Sequence, residues 1–598
     1  MPDISSVPGL TIVPDIKIGG APIDDKDLVD ARVYLSLLET SSVVLRFSDP
    51  NMELLDAGKY KIGDPLTVAI RDEAVSTVVF SGEVTALGAD QRADQRHEFL
   101  VEAMDLSHRL SSQMTPATYL QQTWSDIVSR IASRHGLTAT VEATSAVHQY
   151  VLQTMNDRAF LTDIANRIGY EWFVEGTKLH FRKRPSSGSA AVRLSWSKNL
   201  VRFEARAAGS DVATKVHVHG WDPKGKKKID GFSDVEGSAE ATGSSSLLAT
   251  STFTKGKSTF GKEVHLVPGP VDDVNEAKLR AEAISGDIAA SALRVSGEAL
   301  ESPLIKPGIW IAVADCGKQL SGNYYVTECE HVFGGSQPFR TRFKLTGRNS
   351  QGIARSTSPS TGGGWGQTGL MVGVVTNISD TEGNSQRVKV TFPTIPDQES
   401  AWARVVTLGG AADRGMEMRP EVNDEVLVGF EQGDLRRPFV IGGLLSADDK
   451  YVKQAVGSDG ALKMRSIRSR AGHKIEMFEG DSKGATTGRH MTLTNADGGT
   501  KIVIGDDKIT VTTKGGLPIE LISGDASIKL DNGAITIKGN SVAIKATQGA
   551  KIEGATVDVK GQQKVAIDGG AQLEGAGAMV KLEASGIASV KGSLLKLN

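Results

Sequence analysis

Aromatic residues run out before this 598-residue chain does: Phe478 is the last ring, and nothing from 479 to 598 is Phe, Tyr or Trp. Rings supply much of the bulk in ordinary cores, so any core built by that closing segment has to be narrow. Cysteine is nearly absent as well. Cys316 and Cys329 are the only two, which excludes a disulfide framework in a chain of this size. They read as buried free thiols, with a cross-strand bridge as the alternative. No apolar run approaches the roughly 18 residues that span a bilayer, and the opening MPDISSVPGL has neither a basic region nor an apolar signal core. The chain is therefore expected to be made in the cytoplasm without a signal peptide. Charge of one sign is lacking too. A net charge of −3, with 39% hydrophobic and 23% charged residues, describes an ordinary soluble surface and not a polycation built for phosphate backbones. Nucleic acid is not expected as a partner. Length is what the chain has in excess, enough for roughly three to five domains.

Towards the carboxyl end a triad of apolar residue, charged residue, then Gly or Ala keeps returning: Ile537-Lys538-Gly539, Ile544-Lys545-Ala546, Ile552-Glu553-Gly554, Val559-Lys560-Gly561, Ile567-Asp568-Gly569, Leu573-Glu574-Gly575, Leu582-Glu583-Ala584 and Val590-Lys591-Gly592. Branched apolar residues beside charges, punctuated by Gly, read as short strands with alternate side chains in and out, separated by sharp corners. A single-chain β-helix coil needs three faces, or roughly 18 residues, before its pattern repeats. A unit near eight supplies one face, so the simplest closure is three chains wrapped into a triangular prism, a homotrimer with no long unpaired edge. Such a narrow axis has no room for rings. The alternative is a disordered low-complexity tail, which would lack the phased row of β-branched residues.

Upstream, strand-like alternation occurs at Val388, Val390 and Phe392, at Val426, Val428 and Phe430, and at Phe439 and Ile441, with Gly, Pro, Asn and Asp between. Short strands so closely spaced predict a small closed barrel over 369–446. The run resembles the OB-fold barrel of the VgrG family, whose members form the central spike of type VI secretion and related phage-like contractile injection machines. The matching positions are Arg387-Val388-Lys389-Val390, Phe392-Pro393, Trp402-Ala403-Arg404-Val405, Arg414-Gly415, Pro420-Glu421-Val422, Asp424-Glu425-Val426-Leu427-Val428, Phe430, Gly433-Asp434, Arg437-Pro438 and Gly442. The chain departs from the family's usual aspartate-proline at Asp380-Thr381, and carries Asn423 where glycine is common. Between Gly369 and Ser446 there are seven Lys and Arg against eleven Asp and Glu, so an oligonucleotide-binding barrel is disfavoured.

Residues 1–355 read as one composite, mostly β region holding two similar helices. TWSDIVSRIASRHGL has Ser125 as cap, Gly136 as stop and Ile127, Val128 and Ile131 on one face; NDRAFLTDIANRIGYEWF has Asn156 as cap, Gly169 as stop and Phe160, Leu161, Ile164 and Ile168 on one face. The second lies in a stretch similar to the hub signature of VgrG and the phage late control protein D, carried by Gln153, Asn156-Asp157, Phe160-Leu161, Gly169-Tyr170 and Leu179-His180-Phe181. A helix over 274–290 and Pro307-Gly308, Ser321 to Val326, His331 to Phe333 and Arg340 to Phe343 follow in the family's order. The resemblance implies a trimeric hub docking a hexameric tail tube onto a threefold needle, baseplate components and a PAAR-like tip protein as partners, and effectors among the partners it allows. It further implies assembly at the baseplate of an injection particle, with release outside the cell for the phage-tail-like type that the opening VPGLTIVPDIKIGGAPID is closest to.

The expected plan is a hub at 1–355, a Gly/Ser-rich linker at 356–368, the OB-fold barrel at 369–446, a connector at 447–478 and the trimeric β-helix needle at 479–598. The fold class is mainly β with a few helices. Residues 221–262, with KGKKK and GSAEATGSSSLLATS, read as a mobile polar insertion whose lysines at 224 and 226–228 tip a solvated loop; contact with an acidic tube or baseplate surface is the alternative. Some relatives carry a lysozyme between barrel and needle or a toxin after it, and the spacing here leaves room for neither. No catalytic, cofactor-binding or metal residue is assigned, and no cofactor is expected. An enzyme-bearing spike and a trimeric tail-fibre adhesin remain the alternatives. His217-Val218-His219 puts two imidazoles on one side of a strand, but no Cys or carboxylate partner lies at useful spacing. In some phage spikes an HxH motif binds iron at the needle tip, whereas this one lies in the hub and His490 is the last histidine.

Overall fold

The computed structural model describes residues 13–596 apart from 73–74, 93–96, 113–115, 186–187, 210–211, 223–224, 237–246, 268, 335–338, 347–368, 383–385, 396–397, 412–413, 447–454 and 481–487. The linker expected at 356–368, Lys224 and all of GSAEATGSSS fall outside the described residues. Two compact units result, Met1–Ser446 and Ala447–Asn598.

The first unit is organised by an eleven-stranded antiparallel sheet. Its middle pairs Leu28–Ser36 with Glu328–Gly334, so the two ends of the expected hub share one sheet. The strand Ser42–Ser48 shows why: Val43, Leu45 and Phe47 alternate with polar or half-exposed neighbours and are at most 1% exposed, the period-2 pattern of a sheet with one face on a core. Each such side chain contributes about 1.5–3 kcal/mol on leaving water. A smaller module over 117–183 packs the helices Trp124–Arg134 and Asp157–Ile168 against the strands Tyr170–Glu175 and Lys178–Lys183, around Ile127, Val128, Ile131, Phe160, Leu161 and Ile164. A third sheet, ordered Lys227–Asp234, Ala213–Asp222, Lys262–Leu266, is covered by the helix Val274–Ser291. The last is the barrel sheet, ordered Lys389–Thr391, Met371–Asn377, Glu425–Phe430, Pro438–Gly443, Arg404–Val405.

The mainly β class read from the sequence is what the structure has, and four local expectations need correction. The first helix is capped by Thr123, not Ser125. Thr123 Oγ1 accepts the Asp126 amide while the Asp126 side chain accepts the Thr123 amide, a complete capping box; Ser125 Oγ instead accepts the Thr144 amide. In Pro438–Gly443 the inward residue is Val440, with Ile441 exposed and Phe439 half-buried, one residue out of step with the alternation expected there. Residues 221–262 are not one loop: they hold the strand Lys227–Asp234 and the helix Leu247–Phe260. Cys329 is buried but Cys316 only half so; both are free thiols.

The second unit contains a five-stranded antiparallel meander over 464–512 and a three-stranded one over 519–538. From 539 to 596 no described residue belongs to a strand. The apolar residues of the triads from Ile544 to Val590 are 67–80% exposed, so their own chain provides neither a ladder nor a cover for them. No helix among the described residues is long and apolar enough to cross a membrane.

Candidate functional site: a buried joint and a histidine cluster

The signature around Gln153 resolves into a polar network that sets the helix Asp157–Ile168. Gln153 is 1% exposed; its Oε1 accepts from the Tyr119 hydroxyl (2.8 Å), and its Nε2 donates to Asp157 Oδ1 (2.6 Å) and to the Met155 carbonyl (2.9 Å). Asp157 also contacts Arg134 (3.0 Å) and His135 (2.6 Å). Every buried polar group here thus has a partner, the condition for such groups to be tolerated. Asn156 caps the helix through the Ala159 amide, and Gly169 ends it at φ 69°, a left-handed conformation that favours glycine.

The strand before this helix, Val147–Gln153, has two buried faces. Val151 joins the core of the helical module, while Tyr150 and Leu152 join the barrel core with Val375, Val388, Val390, Phe392, Val426 and Val428. Alternation along one strand therefore inserts Tyr150 and Leu152 into the barrel core. Beside it lies a charged seam. The barrel turn Glu431–Arg437, with Gln432 at φ 52° and Gly433 at φ 78°, presents Asp434, Arg436 and Arg437. The Asp434 carboxylate accepts from Arg436 Nη2 (2.9 Å) and the Arg436 amide (3.0 Å), and lies 3.7 Å from Arg167 of the helix Asp157–Ile168. Arg436 reaches Asp272 and Glu276, both at 3.7 Å, and Arg437 donates to the Val271 carbonyl (2.5 Å) and Asp272 (2.8 Å). Burial alone would raise the Asp434 carboxyl; the charges of Arg436 and Arg167 and the Arg436 hydrogen bonds outweigh it and hold the group well below the carboxylate range. Burial, reinforced by Arg167, pushes Arg280 beneath this seam down to about 10. The arrangement has no nucleophile or acid–base pair at its centre. Its chemistry is that of a clamp, holding the barrel to the preceding region through opposed buried charges.

One departure from the pattern of the barrels it resembles is explained. Asn423 sits at φ 76°, where glycine is easiest and asparagine is among the few alternatives. Asp380 accepts from Arg387 Nε (2.9 Å) and Nη2 (3.0 Å), bonds that hold its carboxyl down at about 2.

The histidine pair has the partners that its spacing did not reveal. The strand Lys262–Leu266 runs parallel to Ala213–Asp222 and puts His265 in register with His217; Lys227–Asp234 runs antiparallel on the other side and puts Asp230 opposite His219. His217 Nδ1 lies 3.4 Å and His219 Nδ1 3.2 Å from Asp230 Oδ1, and His219 Nε2 lies 3.0 Å from His265 Nδ1. Glu263 Oε2 is 3.6 Å from His217 Nε2 and 3.9 Å from His265 Nε2. The imidazoles of His217 and His265 stack with centroids 4.6 Å apart. One ligand atom from each of His217, Glu263 and His265 lies within 4.8 Å of the others, so these three can hold a metal ion. Nearby, Lys227 and Lys228 are exposed strand residues, and Lys228 Nζ lies 3.8 Å from Asp230.

Comparison with known proteins bears on the barrel first. Residues 371–445 match the family model described as the type VI secretion system/phage-baseplate injector OB domain, and residues 46–334 match a model described as the Alg8 N-terminal domain. No curated protein matches. Among solved structures, the chain is similar to an E. coli component of the type VI secretion system (15% identity, 72% of this chain and 99% of that one, TM-score 0.44). It is similar to a chain of the Francisella PdpA-VgrG complex (9% identity, 88% and 80%, TM-score 0.47) and to a 43 kDa tail protein of a Shewanella oneidensis prophage (13% identity, 58% and 99%, TM-score 0.43). The matched model spans the whole five-stranded barrel, so residues 371–445 are an OB domain of the type VI secretion system/phage-baseplate injector kind.

Proposed function

We propose that this chain is the central spike of a contractile injection system, a structural part with no catalytic residues. Three copies form a hub that adapts a hexameric tail tube to a threefold needle, and the needle punctures a target envelope when the sheath contracts. The observation that carries this reading is the injector OB domain at 371–445, joined to the preceding region by a buried clamp. A part that transmits thrust needs such a joint, because a flexible hinge would dissipate force by bending. Support also comes from the tail, where eight phased triads have their apolar residues largely uncovered within one chain. Three intertwined copies would turn those rows inward and pair each segment with its neighbours. Baseplate proteins at the hub, a PAAR-like tip protein, and assembly in a phage-tail-like particle that is released from the cell complete the reading.

The test is mass. Light scattering on the purified full-length protein is expected to give three times the 63.4 kDa chain mass, and electron microscopy of native particles should place the protein on the axis between tube and tip. A monomer or dimer by mass in both solution and particle overturns the reading.

A further inference from the structure

We propose that His217, His265 and Glu263 bind one divalent transition-metal ion of the zinc class, with Asp230 and His219 orienting the two imidazoles. This stands apart from the spike reading and uses none of it. The donor set, two imidazole nitrogens and one carboxylate oxygen, suits borderline ions such as Zn²⁺ more than Mg²⁺ or Ca²⁺, which favour oxygen cages.

The proton wiring leaves the right atoms free. Asp230 can only accept when ionised, so the proton of His217 belongs on Nδ1, 3.4 Å from Asp230 Oδ1, and Nε2 carries the lone pair. That Nε2 is shielded from solvent and has no hydrogen-bond partner, a cost that a bound cation removes. His219 Nδ1 lies 3.2 Å from the same oxygen without hydrogen-bonding to it, and His219 Nε2 pairs with His265 Nδ1 at 3.0 Å, accepting in the tautomer that protonates His265 there. His265 then offers its own Nε2 lone pair. Both free lone pairs flank Glu263 Oε2, at 3.6 and 3.9 Å. A carboxylate holding the far nitrogen of a ligating imidazole is the usual outer support of histidine metal sites.

The geometry needs only a small adjustment. Ligands of a tetrahedral ion with Zn–N of about 2.0–2.1 Å lie roughly 3.3 Å apart, against separations of up to 4.8 Å here. His265 and Glu263 are about half exposed, with side-chain exposures of 55% and 54%, and can close that gap by rotation. Their exposure also leaves a fourth position open to water. Bound there, the ion would tie Lys262–Leu266 to Ala213–Asp222 across the Leu247–Phe260 insertion.

The experiment uses full-length protein purified without a histidine tag, titrated calorimetrically with Zn²⁺, with Co²⁺ as a spectroscopic probe of coordination. The expected result is one Zn²⁺ per chain and visible bands of four-coordinate Co²⁺. His265→Ala and Glu263→Gln, both at exposed side chains, should each weaken binding at least tenfold. Asp230→Asn should weaken it about 10–100-fold while keeping one ion per chain, the mark of a positioning group. Absence of stoichiometric uptake by the unaltered protein, or uptake unchanged in both ligand variants, overturns the proposal.

Discussion

At the scale of single residues, the joint between the barrel and the region before it is governed by the rule that a buried charge must be compensated. Asp434 and Arg436 are both under 10% exposed in their side chains, with Arg167, Asp272 and Glu276 around them. Arg436→Ala leaves the Asp434 carboxylate short of its main partner and is expected to cost about 3–5 kcal/mol in equilibrium denaturation of the first unit's transition. The same pair sets a pH dependence. The folded Asp434 carboxyl lies below its unfolded value of about 3.9, so its contribution is complete at neutral pH and is lost as pH falls below about 4. Denaturation midpoints should therefore drop progressively as pH falls below about 4 and keep falling through the acid range, and Asp434→Asn should flatten that drop. An unchanged acid limb in Asp434→Asn would remove this carboxylate from the account. Asp434 and Arg437 both fall at positions that the sequence comparison with the VgrG barrel picked out, but their role did not show there. Their partners Arg167, Asp272 and Glu276 lie more than 150 residues earlier in the chain, and pairing at that separation leaves no local pattern.

At the scale of elements, what could be read depended on whether the controlling contact was local. The helices Trp124–Arg134, Asp157–Ile168 and Val274–Ser291 lie within a few residues of where periodicity and capping residues put them, since 3.6-residue spacing and caps are written within one segment. The choice between Thr123 and Ser125 as cap was not, because a tertiary contact to Thr144 occupies Ser125. Thr123→Ala should cost about 0.5–2 kcal/mol in thermal or denaturant unfolding, the usual range for a lost cap. The slip in Pro438–Gly443 has a similar origin: both Phe439 and Ile441 are apolar, but the ladder with Glu425–Phe430 and its irregularity near Val428 turns Val440 inward. Gly231 had no visible signal in the sequence. A Cβ there would lie 2.3–2.4 Å from backbone atoms of Lys278 and Ala277, so Gly231→Ala should force the helix Val274–Ser291 off its sheet. The expected readout is faster amide exchange in both elements; exchange at the native rate would contradict this packing. The histidine cluster was half legible for the same reason. His217 and His219 are two residues apart, whereas His265 arrives through a parallel pairing from a strand more than forty residues later.

At the scale of the whole molecule, the two units differ in how they bury apolar surface. Met1–Ser446 has several closed cores of its own. Beyond Lys538 the second unit leaves branched residues such as Ile552, Val559 and Leu582 at least 73% exposed, a burden that a stable single chain does not carry over so long a row. The prediction at this scale is resistance of residues 500–598 to limited proteolysis in the purified oligomer, alongside the trimeric mass. Rapid digestion of that segment in the intact assembly would sink the prism. Composition and spacing by themselves determined the mainly β class, the core helices, the ring-free repeat and the resemblance of the barrel, because each is fixed by side chains close together along the chain. Only the tertiary structure decided that the strand Val147–Gln153 contributes to the barrel core, that four arginines and their acids form the joint, and that a third imidazole and two carboxylates surround the histidine pair. Those arrangements depend on which distant strands pair, and that choice is made by the burial of whole sheets, which no short stretch of sequence records.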